Sequence, residues 1–119
     1  ECAIKDDMTS ILQKMLDADV LVLSSPVYFY SICAQLKAVI DRTVARWLEI
    51  KNKEFYYIIT AAAPTDQAKE CTLECMRGLA VCLEGSVERG VIWGNGVYGK
   101  GEIAGHQALT QAYEMGKSV

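Results

Sequence analysis

Val20-Leu21-Val22-Leu23-Ser24-Ser25-Pro26-Val27-Tyr28-Phe29-Tyr30-Ser31 is the stretch that decides the fold. Val20 to Leu23 is an apolar run without polar alternation, the pattern of a strand buried on both faces of a parallel sheet. Pro26 has no N–H to give and is expected to stop the ladder. Val27 to Tyr30 is then β-branched and aromatic where a connecting loop is ordinarily polar. Open α/β sheets bind ligands in the crevice beyond the carboxyl ends of their strands. An aromatic loop at that place suits a flat apolar partner, and the plainer alternative is that it covers the core.

The chain has 119 residues, enough for one domain with a real core. With 51% apolar and 23% charged residues it reads as a soluble globular protein. A net charge of −3 and the lack of a Lys/Arg cluster argue against nucleic acid as a partner. No apolar run approaches the roughly 18 residues that a membrane span needs, and no signal-peptide pattern opens the chain. Five irregularly spaced cysteines are not a secreted disulfide framework and point to a reducing, cytoplasmic location. The chain opens on Glu1, close to a helix, which suggests processing or a missing N-terminal part.

Met8, Ile11, Leu12, Met15 and Leu16 have helical spacing, with Asp6 and Asp7 at the end where the helix dipole favours acids. That helix should end near Asp17 to Asp19, with the strand following at Val20 to Ser24. Ile32, Leu36, Val39, Ile40, Thr43 and Trp47 mark a second helix from about Cys33 to Leu48, in which Lys37 and Asp41 can pair. Phe55 to Thr60 is a second strand without alternation. Ala61-Ala62-Ala63-Pro64 is a small-residue loop, and Thr65 or Asp66 can cap a third helix running to Leu83 and ending at Glu84-Gly85. Val87 to Trp93 is a third strand interrupted by Gly90, Gly94 to Gly101 a glycine-rich loop, and Ile103 to Met115 the last helix. Strands alternating with helices imply an α/β fold with a parallel sheet.

Two strand ends should therefore share one edge of the sheet, carrying Ser25 to Ser31 and Thr60 to Pro64. Small residues there let a ligand approach the backbone, although each loop alone also reads as an ordinary connection. Ser25-Pro26-Val27-Tyr28-Phe29-Tyr30-Ser31, followed by Gln35-Leu36-Lys37 and Ile40-Asp41-Arg42, resembles the flavin loop and next helix of the flavodoxin-like NAD(P)H-dependent FMN reductases. It is most similar to the branch that includes iron–sulfur flavoproteins. Asn95-Gly96-Val97, with Gly99, Gly101 and Glu102-Ile103, is similar to the loop before that family's last helix.

The resemblance, which runs from Cys2 onward, implies that FMN lies at the carboxyl ends of the strands. Ser25, Pro26, Val27, Tyr28 and Phe29 would meet the isoalloxazine edge and wall the ring, with Thr60, Ala61 and Ala62 on its opposite side. The implied activity is an FMN-dependent NAD(P)H oxidoreductase that passes hydride from a nicotinamide to flavin and on to an acceptor. The cofactor carries this chemistry, so no catalytic acid or base and no metal ligand is expected of the protein.

The family's phosphate-binding loop, a Gly/Ser/Asn/Thr-rich turn after the first strand, has no counterpart in these residues. The expected fold is therefore a flavodoxin-like doubly wound parallel sheet, N-terminally truncated with three strands remaining. Residues 1–119 would form the C-terminal two-thirds of one such domain. Without a phosphate site at a helix N-terminus, this chain is expected to bind FMN weakly or not at all. In the usual strand order, 2-1-3-4-5, the missing strands leave Val20 to Ser24 as a naked edge that recruits another strand, so a homo-oligomer is expected.

Cys71, Cys75 and Cys82 share a helical face with Gly78 and Leu79, so packing is preferred over metal binding. Cys33, near the start of the second helix, can have a lowered pKa. Cys2 with Asp6-Asp7-Met8 matches the tail of the iron–sulfur branch's cysteine cluster, but one cysteine cannot hold a cluster that needs about four, and none is expected in this chain. His106 reads as a surface or satisfied residue, and Trp47 and Trp93 as core or interface. Two other functions fit the fold. A flavodoxin-type electron carrier would favour an acidic rim, which these loops lack; a cofactor-free receiver would need an acceptor Asp where Ser24-Ser25 stands.

Overall fold

A computed structural model of the chain describes residues 4–119. Seven elements alternate in the order expected: α1 Met8–Asp17, β1 Val20–Pro26, α2 Ala34–Arg42, β2 Glu54–Ala61, α3 Asp66–Cys82, β3 Val87–Asn95 and α4 Gln107–Gly116. The strands form one three-stranded parallel sheet in the order β1-β2-β3. Parallel neighbours need long crossovers, and α2 and α3 supply them.

Side chains of odd and even number take opposite faces of the sheet. Phe55, Tyr57 and Ile59 are fully buried on one face, beneath Met8, Leu12 and Met15 of α1 and Leu73, Met76 and Leu79 of α3. Even-numbered Tyr56 and Ile58 face the other way, toward Ala112 and Met115 of α4. β3 runs unbroken through Gly90, where the sequence suggested an interruption; a Cβ there would stand 2.5 Å from the Met115 sulfur, so the glycine is where α4 approaches the sheet.

The both-face burial expected of Val20 to Leu23 is corrected. Leu21 and Leu23 pack on the core, but Val22 is 55% exposed and Ser24 is exposed, because α4 lies over β3 and leaves the same face of β1 open. Pro26 does not stop the ladder either. Glu54 N–H donates to the Asp19 carbonyl at 2.9 Å and Val27 N–H to the Thr60 carbonyl at 2.8 Å, so odd-numbered backbone groups of β1 face β2. The absent N–H of Pro26 falls on the free edge, where no ladder bond is lost.

Helix α1 begins where Met8 N–H donates to Asp6 Oδ1 at 3.1 Å. It ends on Lys53, whose buried ammonium donates to the carbonyls of Leu16 and Ala18 and meets the negative end of the helix dipole. Helix α2 is shorter than the periodicity predicts. It gives way to two 3-10 turns, Thr43–Ala45 and Trp47–Glu49. The Thr43 hydroxyl donates back to the Ile40 carbonyl at 2.7 Å, and Arg46 leaves helical geometry with φ at −142°. Arg42 closes the end of α2 onto the start of α1 through two bonds to Asp6, of 2.6 and 2.9 Å.

Helix α4 starts four residues later than the pattern suggested, because Gly101 and Gly105 adopt φ of +90° and +82° and hold residues 99–105 in turns. His106 is its N-cap, with Nδ1 accepting from Ala108 N–H at 3.1 Å, so the satisfied-residue expectation holds. The cysteine expectation holds in part. The buried stripe of α3 is Ala68, Thr72, Leu73, Met76 and Leu79, whereas Cys71 and Cys82 are exposed and Cys75 half-buried. At about 100° per residue the cysteines lie roughly a quarter-turn round the helix from that stripe. Cys2 lies outside the described residues. Trp93 packs on the core and Trp47 lies partly exposed between α2 and α3.

Candidate functional site

The three strands end side by side and their loops are tied to one another. Val27 N–H reaches the Thr60 carbonyl at 2.8 Å and Val97 N–H the Ala61 carbonyl at 3.1 Å, extending the sheet's bonding beyond its strands. Between these segments opens a cleft of about 410 Å³, lined by Pro26, Val27, Tyr28, Thr60, Ala61, Ala62, Val97 and Tyr98. Six of the residues expected from sequence are thereby brought together. Ser25 and Phe29 are not in the lining.

Ser25 is only 2% exposed, and its hydroxyl is used internally. It donates to the Pro26 carbonyl at 2.7 Å and accepts from Cys33 N–H at 2.8 Å, pinning both ends of the loop. Cys33 is the N-cap of α2. The Leu36 N–H and the Ser25 hydroxyl hold its thiol below the ordinary value. Phe29 stands fully exposed at the loop's tip.

The tip is strained. Tyr28 N–H donates to the Ser31 carbonyl at 2.9 Å and Ser31 N–H to the Tyr28 carbonyl at 3.0 Å. Phe29 and Tyr30 between them have φ of 48° and 61°, a mirror-type turn that ordinarily takes Asn-Gly. Left-handed geometry costs a side-chain-bearing residue about 1–2 kcal/mol. Tyr30→Gly is therefore expected to raise stability by about 1 kcal/mol, read as a higher urea midpoint; a lowered midpoint would mean that the Tyr30 ring's own contacts outweigh the strain.

Val97 and Tyr98 are the lining residues that the sequence reading missed. The signal was available: they follow the third strand's end, as Val27 and Tyr28 follow the first. No side chain lining the cleft carries a charge. Such a surface is not built for carboxylate acid–base work. Its volume falls within the usual range for small-molecule sites, and its aromatic and small residues fit a flat heterocycle approached by backbone groups. The uncharged aromatic and small-residue lining thus fits the ring of FMN, and it offers no cation to a phosphate.

Clefts of about 560 Å³, beneath α4, and about 440 Å³, between α2 and α3, are larger, but neither touches the loops that follow the strands. Among the described residues no group of three His, Cys, Asp or Glu side chains could hold a metal ion. No helix among them is long and apolar enough to cross a membrane.

Comparison with known proteins places these features. The family described as NADPH-dependent FMN reductase matches residues 1–93. An iron–sulfur flavoprotein of Methanocaldococcus jannaschii is 51% identical over 43 residues, which cover 36% of this chain and 22% of that relative. FMN-dependent NADH:quinone oxidoreductase 1 of Pseudomonas syringae pv. tomato is 57% identical over 37 residues, 31% of this chain and 18% of that relative. The matched stretches thus span under a quarter of these two relatives' lengths. Among solved structures, the Trp repressor binding protein of Bacillus subtilis superposes with a TM-score of 0.80 at 21% identity, covering 94% of this chain and 71% of that one. The α/β, flavodoxin-like parallel sheet expected from sequence is the fold found.

Proposed function

Because the chain belongs to the NADPH-dependent FMN reductase family, we propose that its strand-end cleft holds the isoalloxazine ring of FMN and that the protein is an FMN-dependent NAD(P)H oxidoreductase. Bound FMN would supply the redox chemistry, taking hydride from the nicotinamide and delivering electrons to an acceptor. The observation that carries this reading is the uncharged aromatic cleft at the ends of all three strands. Tyr28 and Tyr98 wall it, Ala61 and Ala62 keep its floor low, and Ser25 holds the Pro26–Tyr28 segment in place. The relative from Pseudomonas syringae makes a quinone the acceptor to test first. The test is NAD(P)H consumption at 340 nm with added FMN and a soluble quinone. Turnover that needs both flavin and protein supports the reading, and a rate equal to that of free FMN refutes it.

The open edge of β1 supports a homo-oligomer. Val20, Val22 and Ser24 direct unpaired backbone groups outward, with no lysine or bulge to shield them. Light scattering behind gel filtration should give at least twice the mass of 13.1 kDa; a clean monomer at 0.1 mM contradicts this. The four described cysteines are free, which suits the reducing cytoplasm.

A further inference from the structure

The segment between β3 and α4, residues 96–106, runs through turns closed by Glu102 N–H to the Gly99 carbonyl, Ala104 N–H to the Gly101 carbonyl and His106 N–H to the Ile103 carbonyl. Gly96, Gly101 and Gly105 all take positive φ, and Tyr98 is 91% exposed. Yet its first turn is fixed. Glu102 Oε2 accepts from Tyr98 N–H at 2.6 Å and from Gly99 N–H at 2.8 Å. Gly99 is matched to this arrangement, since a Cβ there would stand 2.9 Å from Glu102 Oε1. On its other side Tyr98 follows Val97, whose N–H is held by the Ala61 carbonyl. The Glu102 carboxylate, the Val97–Ala61 bond and the Glu102 N–H bond to the Gly99 carbonyl thus set where the Tyr98 wall stands relative to the Ala61–Ala62 wall.

We propose that Glu102 is a positioning residue that fixes Tyr98 as a wall of the flavin cleft before the ring arrives. The inference rests on the reading of the cleft as a flavin site. Charge-assisted bonds from two successive N–H groups to one carboxylate are stronger than neutral ones and hold a short turn in one shape. A loop ordered beforehand does not have to be ordered when the ligand binds, and the saving appears as affinity. The N–H groups concerned are at the surface. When Glu102 is removed water can take its place, so the fold should be little affected while the loop loosens.

Two measurements on the full chain decide the matter. The first is hydrogen exchange at the Tyr98 and Gly99 amides without flavin. Glu102→Ala should speed both by about tenfold, and Glu102→Gln, which keeps an acceptor oxygen, by less. The second is FMN titration by fluorescence quenching. Glu102→Ala should weaken binding by about fivefold to tenfold, with Glu102→Gln restoring part of the loss. Tyr98→Ala should then add little in the Glu102→Ala background, because both changes remove the same wall. Faster exchange with unchanged FMN affinity, or fully additive losses, overturns the proposal and leaves the flavin reading standing. Unchanged exchange overturns it as well. If the wild-type chain quenches no FMN, the flavin reading itself fails and this role for Glu102 falls with it, whatever the exchange rates show.

Discussion

Ala62→Phe is expected to leave the fold intact and to weaken flavin binding by about tenfold or more. Ala62 lines the cleft, is exposed, and lies just past the end of β2, so a larger side chain there displaces no core residue. It would instead enter the cleft that Ala62 lines, the space proposed for the ring between the Ala61–Ala62 segment and the aromatic walls. Close approach of a flat ligand depends on small residues, and a phenyl group converts that floor into a competitor for the same volume. Far-UV circular dichroism and the urea midpoint should match the wild type, while FMN quenching is lost over the concentration range in which the wild type responds. Undiminished FMN affinity in this variant would mean that the ring lies elsewhere, for which the α2–α3 cleft would be the next candidate.

Lys53→Met should have the largest effect on stability, a loss of about 2 kcal/mol. The lysine is only 6% exposed, and its ammonium is bonded to the carbonyls of Leu16 and Ala18. Methionine is of comparable length and can fill the space. It cannot donate, so both carbonyls at the end of α1 lose their partner, as does the dipole. Helix α1 carries Met8, Leu12 and Met15 onto the sheet, so a loosened end weakens a layer of the core. Urea unfolding should show the midpoint falling with the slope unchanged. An unchanged midpoint would show that water reaches these carbonyls and replaces the ammonium.

Much of this architecture can be read in the sequence, where local chemistry and tertiary placement agree. The apolar run Val20 to Leu23 and the β-rich Phe55 to Thr60 are strands in any packing, and their order with the helices gives a parallel sheet. What the pattern could not show was where each face ends up. Val22 and Leu23 are equally apolar, yet Val22 borders an open cleft beside α4 while Leu23 packs on the core. Pro26 reads as a terminator only if its nitrogen faces a partner, and that depends on register. Cys71 and Cys82 lie about a quarter-turn from the buried stripe of α3, which is centred on Ala68, Thr72 and Met76 rather than on the cysteines. Phe29 and Tyr30 give no sign of positive φ, because a mirror turn is ordinarily announced by glycine or asparagine.

The site was legible to the extent that it is made of strand ends. Pro26 to Tyr28 and Thr60 to Ala62 follow directly from the ends of β1 and β2. Val97 and Tyr98 follow from the end of β3 by the same rule, but the surrounding glycines made the segment look like a plain loop. Ser25 lies outside the cleft lining. Its hydroxyl is engaged with Pro26 and Cys33, which makes it a support of the cleft.

If these residues make a site for the flavin ring and offer little to the phosphate, FMN and riboflavin should bind alike. Parallel fluorescence titrations of the purified 119-residue chain with FMN and with riboflavin test it most directly. The protein should purify without a flavin band and then quench both flavins with affinities within about threefold of each other, since no charged side chain lines the cleft. A stoichiometric flavin band on the purified chain, a strong preference for FMN, or no quenching of either flavin at millimolar concentration would contradict it.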